Sequence, residues 1–367
     1  MREFIKKIAI LLALPAVVVC CVNYFVDPAK LYRNVRNEGE IARHLLEGSN
    51  VASVANYDER LIQKHYIDGL SKKKDIVVLG SSRSKMIGSE LFHTVDFFNN
   101  SVSAASLEDY MALYWMYRKR GIVPSNIIIG LDPWILNRNN NPTGYKSIEA
   151  DYREILKAIG SSAPGSSRLL PVGFFHEKYT SLISPSYFQI SVSESLRRLG
   201  GKKSKKKDYY TTKNMFEKEG VLLSDGSLTD TEEIRSLSVP ESDAKAIEYA
   251  NVDPVYCLGN FTRLDPEAIE RLSKFIDLLQ RDGIEVLFYL PPYHPRAYDI
   301  LTHSDKYNII SDAQRCFENM ARYKMLRLVG SYNPIECNLA DSDFYDGMHL
   351  KRESVGKVIN GTILLTK

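Results

Sequence analysis

A chain of 367 residues can bury a sizeable core, and a content of 44% hydrophobic and 25% charged residues is that of a globular protein. The net charge of +3, from 48 basic and 45 acidic residues, excludes the strongly basic surface that nucleic-acid binding requires, so no nucleic-acid partner is expected. Cys20 and Cys21 are adjacent, Cys257, Cys316 and Cys337 are scattered, and no Cys-x-x-Cys or nearby histidine pair exists, which excludes a disulfide scaffold and argues against zinc; neither a metal nor a cofactor is expected.

After Met1-Arg2-Glu3-Phe4-Ile5-Lys6-Lys7 the chain is apolar over 8–26, close to the roughly 20 residues that a membrane-spanning helix needs. No small-x-small cleavage site follows, so residues 1–28 read as an uncleaved transmembrane anchor, with a signal peptide as the alternative. Basic residues flank the run on both sides (Arg2, Lys6 and Lys7; Lys30, Arg33 and Arg36), so charge does not decide its orientation. Residues 29–74 read as a juxtamembrane helical region, with one helix over 38–46 and another opening at 56–62. Lys72-Lys73-Lys74 closes it, either as a solvated helix end or as a contact to lipid headgroups.

An α/β pattern begins at Asp75. Ile76-Val77-Val78-Leu79 is an apolar run of the kind found in fully buried strands, and Gly80 ends it before Ser81-Ser82-Arg83-Ser84. This places a serine at the carboxyl edge of a parallel sheet, beside the free N–H groups of a helix start. Ser81 or Ser82 is then either a helix cap or a nucleophile. A short strand over 95–98, an amphipathic helix over 107–120 and a buried strand over 126–131 follow, and their alternation predicts a mainly parallel sheet. The rhythm lapses over 137–260, which reads as a large insertion forming a cap or substrate platform. Its lysine run at 202–207 meets an anionic polymer or is simply a solvated loop. The pattern resumes with a helix over 268–282, a strand over 285–290 closed by Pro291-Pro292, a helix over 309–320 and a strand over 325–329. His294, just past the 285–290 strand, either lines the site or, as the favoured reading, is a structural or rim residue. Asp343-Phe344-Tyr345-Asp346-Gly347-Met348-His349-Leu350 precedes a last helix from about 352. Asp346 and His349 stand three apart across a glycine, so one turn lets the carboxylate reach the imidazole and fix its tautomer.

A Gly-Ser-Ser turn after the first sheet strand, paired with Asp-x-x-His before the last helix, resembles the SGNH (GDSL-like) hydrolase superfamily. Gly80-Ser81-Ser82 stands in the place of the family's Gly-Asp-Ser block, with Ser82 as nucleophile, and Asp346 to His349 matches its final block. Phe98-Asn99-Asn100-Ser101-Val102-Ser103-Ala104-Ala105-Ser106 resembles the second block, with Ala104 where a glycine supplies an oxyanion N–H. The third block is altered: Gly130-Leu131-Asp132-Pro133-Trp134 lacks its oxyanion asparagine. The resemblance implies a three-layer α/β/α sandwich over 75–367, interrupted by the insertion. It implies catalysis by Ser82, His349 and Asp346, with Asp132 turned toward backbone or Arg83 while Asn99 or Asn100 donates to the oxyanion. Trp134 is placed to stack on a sugar or to pack beneath the insertion. The Gly-Ser-Ser form and the expected anchor look most like the branch that includes alginate-type O-acetyltransferases and the D-alanyl transfer protein of teichoic acids. That likeness implies an extracytoplasmic serine acyltransferase or esterase acting on an envelope polysaccharide, with a multi-spanning membrane-bound acyl exporter as partner. The alternative is an inactive relative that binds polysaccharide.

Overall fold

The computed structural model describes residues 15, 17–27, 37–54, 57–92, 95–161, 182–199 and 209–359. The chain divides into two units. In the smaller, residues 17–26 are helical, as is Pro185–Leu199. Polar contacts join these two: Asn23 Nδ2 donates to the Leu182 carbonyl (2.8 Å) and the Tyr187 hydroxyl to Asp27 Oδ1 (2.9 Å). Most of the first half of the expected anchor, 8–14 and 16, lies outside the described residues, as does the lysine run at 202–207. Among the described residues no helix is long and apolar enough to cross a membrane.

Among the described residues the larger unit holds nine strands: β1 (Asn50–Ala52), β2 (Ile76–Leu79), β3 (Phe97–Asn99), β4 (Asn126–Gly130), β5 (Tyr210–Thr212), β6 (Val221–Leu222), β7 (Leu228–Thr229), β8 (Glu285–Leu290) and β9 (Arg327–Gly330). Five of them form a parallel sheet in the order β3-β2-β4-β8-β9. Side chains alternate between its faces. On one face Ile76, Val78, Ile128, Leu287 and Tyr289 pack with Phe344, Leu350, Val355 and Val358 from the chain's end. Val77, Leu79, Ile127, Ile129 and Phe288 alternate with them and are equally buried. Burial on both faces is why these strands read as continuous apolar runs, and the fold is mixed α/β as expected.

Helices α1 (Glu38–Leu46) and α2 (Glu59–Gly69) belong to this unit and do not form a unit of their own. Arg60 Nε donates to Asp109 Oδ1 (2.9 Å), and Gln63 Oε1 accepts from Asn100 Nδ2 (2.7 Å). Helix α3 (Leu107–Lys119) starts on a capping box formed by Ser106 and Asp109. Its tyrosines are core groups with their hydroxyls satisfied: Tyr110 donates to the Gly130 carbonyl and Tyr117 to Asn100 Oδ1, both at 2.7 Å.

Among the described residues, 137–260 contribute no strand to the parallel sheet, and they divide between the two units. Helix α4 (Glu149–Ala158) sits on the α/β unit, where its buried Asp151 pairs with Lys64 (3.0 Å) and with Lys119 of α3. Strands β5, β6 and β7 combine with β1 into an antiparallel sheet, order β5-β1-β6-β7. Its tip lies against the first strands of the main sheet: Asn99 N donates to the Asp225 carbonyl (2.8 Å) and Leu228 N to the Lys85 carbonyl (2.9 Å). Gly226 has φ +80°, and a Cβ there would lie 2.3 Å from the Asn99 carbonyl oxygen. Gly226→Ala should therefore lower stability in thermal and denaturant unfolding, by about 1–3 kcal/mol from the backbone strain alone and more from the clash. Gly121→Ala is the control, since its φ is +66° and nothing lies within 4 Å of its Cβ position. Equal losses in the two variants would show that the hairpin tip is not seated on Asn99.

Candidate active site

The turn after β2 is built by close packing. Gly80 and Gly130, at the ends of neighbouring strands, leave the space that the Ser84 side chain occupies; a Cβ on either would lie within 2.3 Å of Ser84 Oγ. The chain passes directly into a 3-10 turn over Ser82–Ser84. Ser81 is its cap, its Oγ accepting from Arg83 N at 3.1 Å. Ser82 is left partly exposed and does not serve as the cap. Asn99 locks the turn, its Nδ2 donating to the carbonyls of Ser84 and Ile87, both at 2.8 Å.

The Asp-x-x-His segment is prefolded by its own carboxylate. Asp346 Oδ1 accepts from Met348 N (2.8 Å) and His349 N (2.9 Å), a local turn that aspartate commonly builds. Tyr345 N closes it by donating to the His349 carbonyl at 3.0 Å. Within this turn His349 Nδ1 stands 2.8 Å from Asp346 Oδ2, and His349 Nε2 is 2.9 Å from Ser82 Oγ. Residues 267 apart in the chain thus meet in one line of hydrogen bonds. Burial works to raise the Asp346 pKa, but His349 and the two N–H donors outweigh it and bring it to about 2. Burial works to lower the His349 pKa, and the Asp346 charge overcomes it, so the imidazole titrates above its ordinary value. An ionised Asp346 at Nδ1 holds the proton there and leaves Nε2 able to accept one from Ser82.

Beneath the serine lies an ion pair with no exposed side-chain surface, Arg83 Nη1 to Asp132 Oδ1 at 3.1 Å. Arg83 Nε donates to the Met348 carbonyl (3.1 Å) and Nη2 to the Pro291 carbonyl, and the guanidinium lies 3.9 Å above the Tyr293 ring. Asp132 is thus turned into the protein, as expected. Burial pushes its pKa up to about 6 against the opposing pull of Arg83 and Ser81.

Asn99 and Asn100 depart from the expectation that one of them donates to an oxyanion. Both are fully buried; Asn99 holds the serine turn, and Asn100 is bonded to Gln63 and Tyr117. Trp134 is 2% exposed and its Nε1 donates to the Ala105 carbonyl (3.0 Å), so it packs inside the fold and has no face for a sugar. The main-chain N–H groups of Ser82 and Ala104 have no acceptor among the described residues. The exposed Ala104 has φ 48°, and its loop is tied to the serine turn by Val102 N to the Gly80 carbonyl (3.0 Å) and Lys85 Nζ to Ser103 Oγ (2.9 Å).

Sequence reasoning missed Asp230, a second carboxylate whose charge acts on His349 and whose own pKa is raised, chiefly by burial. Beside it opens a cleft of about 130 Å³ lined by Phe216, Arg235, Tyr345 and Arg352. No motif marks Asp230, because it sits in the loop directly after the short strand β7. No protein-family model matches the chain, and no curated protein matches it.

Removing one partner of a buried ion pair costs about 3–5 kcal/mol, because the other charge is left unpaired. Arg83→Ala should show such a loss in denaturant unfolding, and Arg83→Met with Asp132→Leu should recover much of it. A loss below about 1 kcal/mol for Arg83→Ala, the range of an exposed pair, would mean that the pair is not closed off from water.

Proposed function

We propose that this chain transfers an acyl group through an ester on Ser82. The observation that carries the reading is the line from Asp346 through His349 to Ser82. As Ser82 Oγ attacks the carbonyl carbon of an ester or thioester, His349 Nε2 takes its proton. Asp346 holds the resulting imidazolium. The tetrahedral oxyanion is met by the N–H groups of Ser82 and Ala104; losing one such donor typically costs about 3–4 kcal/mol in the transition state. His349 then returns the proton to the leaving alcohol or thiol, and the acyl-serine remains. In the second half an acceptor hydroxyl, activated by His349, attacks the acyl-serine and frees Ser82.

On this reading the parallel sheet is the SGNH-type three-layer sandwich. The two retained blocks, Gly80-Ser81-Ser82 and Asp346 to His349, support it. We take the acceptor to be a sugar hydroxyl of an envelope polysaccharide, the chain to be anchored through 8–26 with its active unit outside the cytoplasm, and the acyl group to come from a multi-spanning membrane exporter. These follow from the family resemblance and not from the site's geometry. A second reading, an inactive fold that binds polysaccharide, draws on Asp132 in the place of the oxyanion asparagine.

Incubation with an activated acetyl ester, with and without oligosaccharide acceptors, separates these readings by mass spectrometry. We expect acetyl on Ser82 and then on the sugar. Ser82→Ala and His349→Ala should reduce turnover by about three to six orders of magnitude. Catalysis needs neutral His349, so kcat/KM should fall as pH drops through a pKa above the ordinary 6.5, and Asp346→Asn should move that limb to lower pH. Acetate release indifferent to any acceptor would make the protein an esterase. An unlabelled Ser82, with sugar binding unchanged in Ser82→Ala, would favour the inactive reading.

Topology is tested separately. A reporter fused after Lys367 should be active only outside the cytoplasm; activity inside would remove the envelope polymer as substrate and leave the serine chemistry untouched.

A further inference from the structure

Close to the Asp346–His349 turn lies a cluster that the acyl-transfer scheme does not use. Helix α5 (Val239–Asn251) carries Asp243, the loop after β8 carries His294, and a 3-10 turn over Asp341–Asp343 carries Asp341. One ligand atom from each lies within 4.8 Å of the other two. His294 is fully buried. Its Nδ1 accepts from Arg296 N (3.1 Å), capping helix α6 (Pro295–Thr302), and this fixes the ring with Nε2 facing the carboxylates. Nε2 stands 3.2 Å from Asp243 Oδ1, yet both atoms are buried and neither forms a hydrogen bond. Two unpartnered, oppositely disposed ligand atoms at this separation have the spacing of ligands on one small ion. Ligands about 2.0–2.2 Å from a tetrahedral metal stand roughly 3.3–3.6 Å apart.

We propose that Asp243, His294 and Asp341 bind a first-row divalent transition-metal ion such as Zn²⁺. An imidazole with two carboxylates suits such an ion better than Mg²⁺ or Ca²⁺, which favour all-oxygen sites. The charge balance agrees: two carboxylates and a neutral imidazole offset the ion. Arg296, whose Nε lies 3.3 Å from Asp341 Oδ2, is more than half exposed and can swing outward. Asp243 and Asp341 are partly exposed, so the ion has a path in from solvent.

The position gives the ion a structural task. His294 N donates to the Gly347 carbonyl (3.1 Å), and Ser242, beside Asp243, donates through its Oγ to the Phe344 carbonyl (2.8 Å). One ligand, His294, and the neighbour of a second, Ser242, therefore grip the segment that holds Asp346 and His349, and Asp341 lies at that segment's start. A bound ion would tie α5, the β8 loop and the Asp-x-x-His turn into one piece. Spacing alone hides such a site, because its ligands come from three separate segments and include no cysteine.

The test uses the full chain, stripped of metal by a chelator and titrated with Zn²⁺ against a chromophoric competitor, with thermal unfolding as a second readout. We expect one equivalent of Zn²⁺ to bind and raise the melting temperature, while Mg²⁺ does neither. Loss of an outer-shell partner alone costs roughly 10–100-fold in metal affinity, so Asp243→Asn and Asp341→Asn, which lose a ligand, should each weaken binding about 100-fold or more. His349→Ala should leave the binding in place, which separates this site from metal captured by the Ser82 relay. Should Asp243→Asn fail to fold, Asp341→Asn, at a partly exposed turn, decides the matter. Zn²⁺ affinity equal in wild type and Asp341→Asn, no binding to wild type, or binding lost in His349→Ala would each overturn the assignment. In those cases a proton on Nε2 accounts for the His294–Asp243 approach.

Discussion

A guanidinium without exposed side-chain surface organises the carboxyl edge of the sheet. Burying a charge is costly unless it is paired and fully hydrogen-bonded. Arg83 meets that demand by reaching Asp132 after β4, the Pro291 carbonyl after β8 and the Met348 carbonyl in the Asp-x-x-His turn, while lying on Tyr293. Those contacts come from three segments that lie far apart in the sequence. Because Arg83 follows Ser82 directly, satisfying the arginine places the serine. The Met348 contact is the decisive one, since Met348 precedes His349 and the length of that bond limits how far the imidazole can stray from Ser82.

The same demand accounts for Asp132. A family-like asparagine would offer an N–H to an oxyanion but no charge to a buried arginine. With arginine after the serine, an acid at this position is the counterion. On the acyl-transfer reading the oxyanion donors are then main-chain N–H groups, which carry no net charge and need no counterion of their own. Asn99 and Asn100 cannot take up the role, because each is spent on holding a turn or a helix. Asn99 is as much a part of the serine's placement as Gly80: it fixes the carbonyls of Ser84 and Ile87, and with them the turn on which Ser82 sits.

How much of this is legible in the sequence depends on the range of the interaction. Ile76–Leu79, Asn126–Gly130 and Glu285–Leu290 are visible as strands because burial on both faces demands unbroken apolar runs. Leu107–Lys119 is visible because its apolar positions repeat at helical spacing. The relay is legible because Asp346 and His349 are local partners and Ser82 follows a strand-ending glycine. The antiparallel sheet is not: its strands are two or three residues long, and β1 finds β5 and β6 only through the folded core. Helix α5 left a signal that sequence reasoning passed over, the capping box of Ser238 and Glu241 with Pro240 in the first turn. The choice between Asn99 as donor to substrate and Asn99 as a brace turns on which carbonyls it meets, and no local pattern carries that.

On the acyl-transfer reading the charges at this edge also set stability against readiness to react. The folded state raises the His349 pKa, so the stability from its protonated form is complete below 6.5 and is lost as pH rises through the folded value. Asp132, raised from 3.8 to about 6, behaves alike: its neutral form favours the fold, and that contribution disappears as pH climbs to about 6. Asp346, lowered to about 2, has the opposite sense; its stabilisation is present above 3.8 and is lost only as pH falls toward 2. These three groups together favour the fold most in mild acid, where Asp346 is ionised, His349 is protonated and Asp132 is partly neutral. A protonated His349 cannot take a proton from Ser82. The protonation state that accepts the serine proton therefore lies above the window in which the site's charges best support the fold. Arg83, with its carbonyl contacts independent of pH, keeps the turn in place once the ionised Asp132 and neutral His349 have given up that margin.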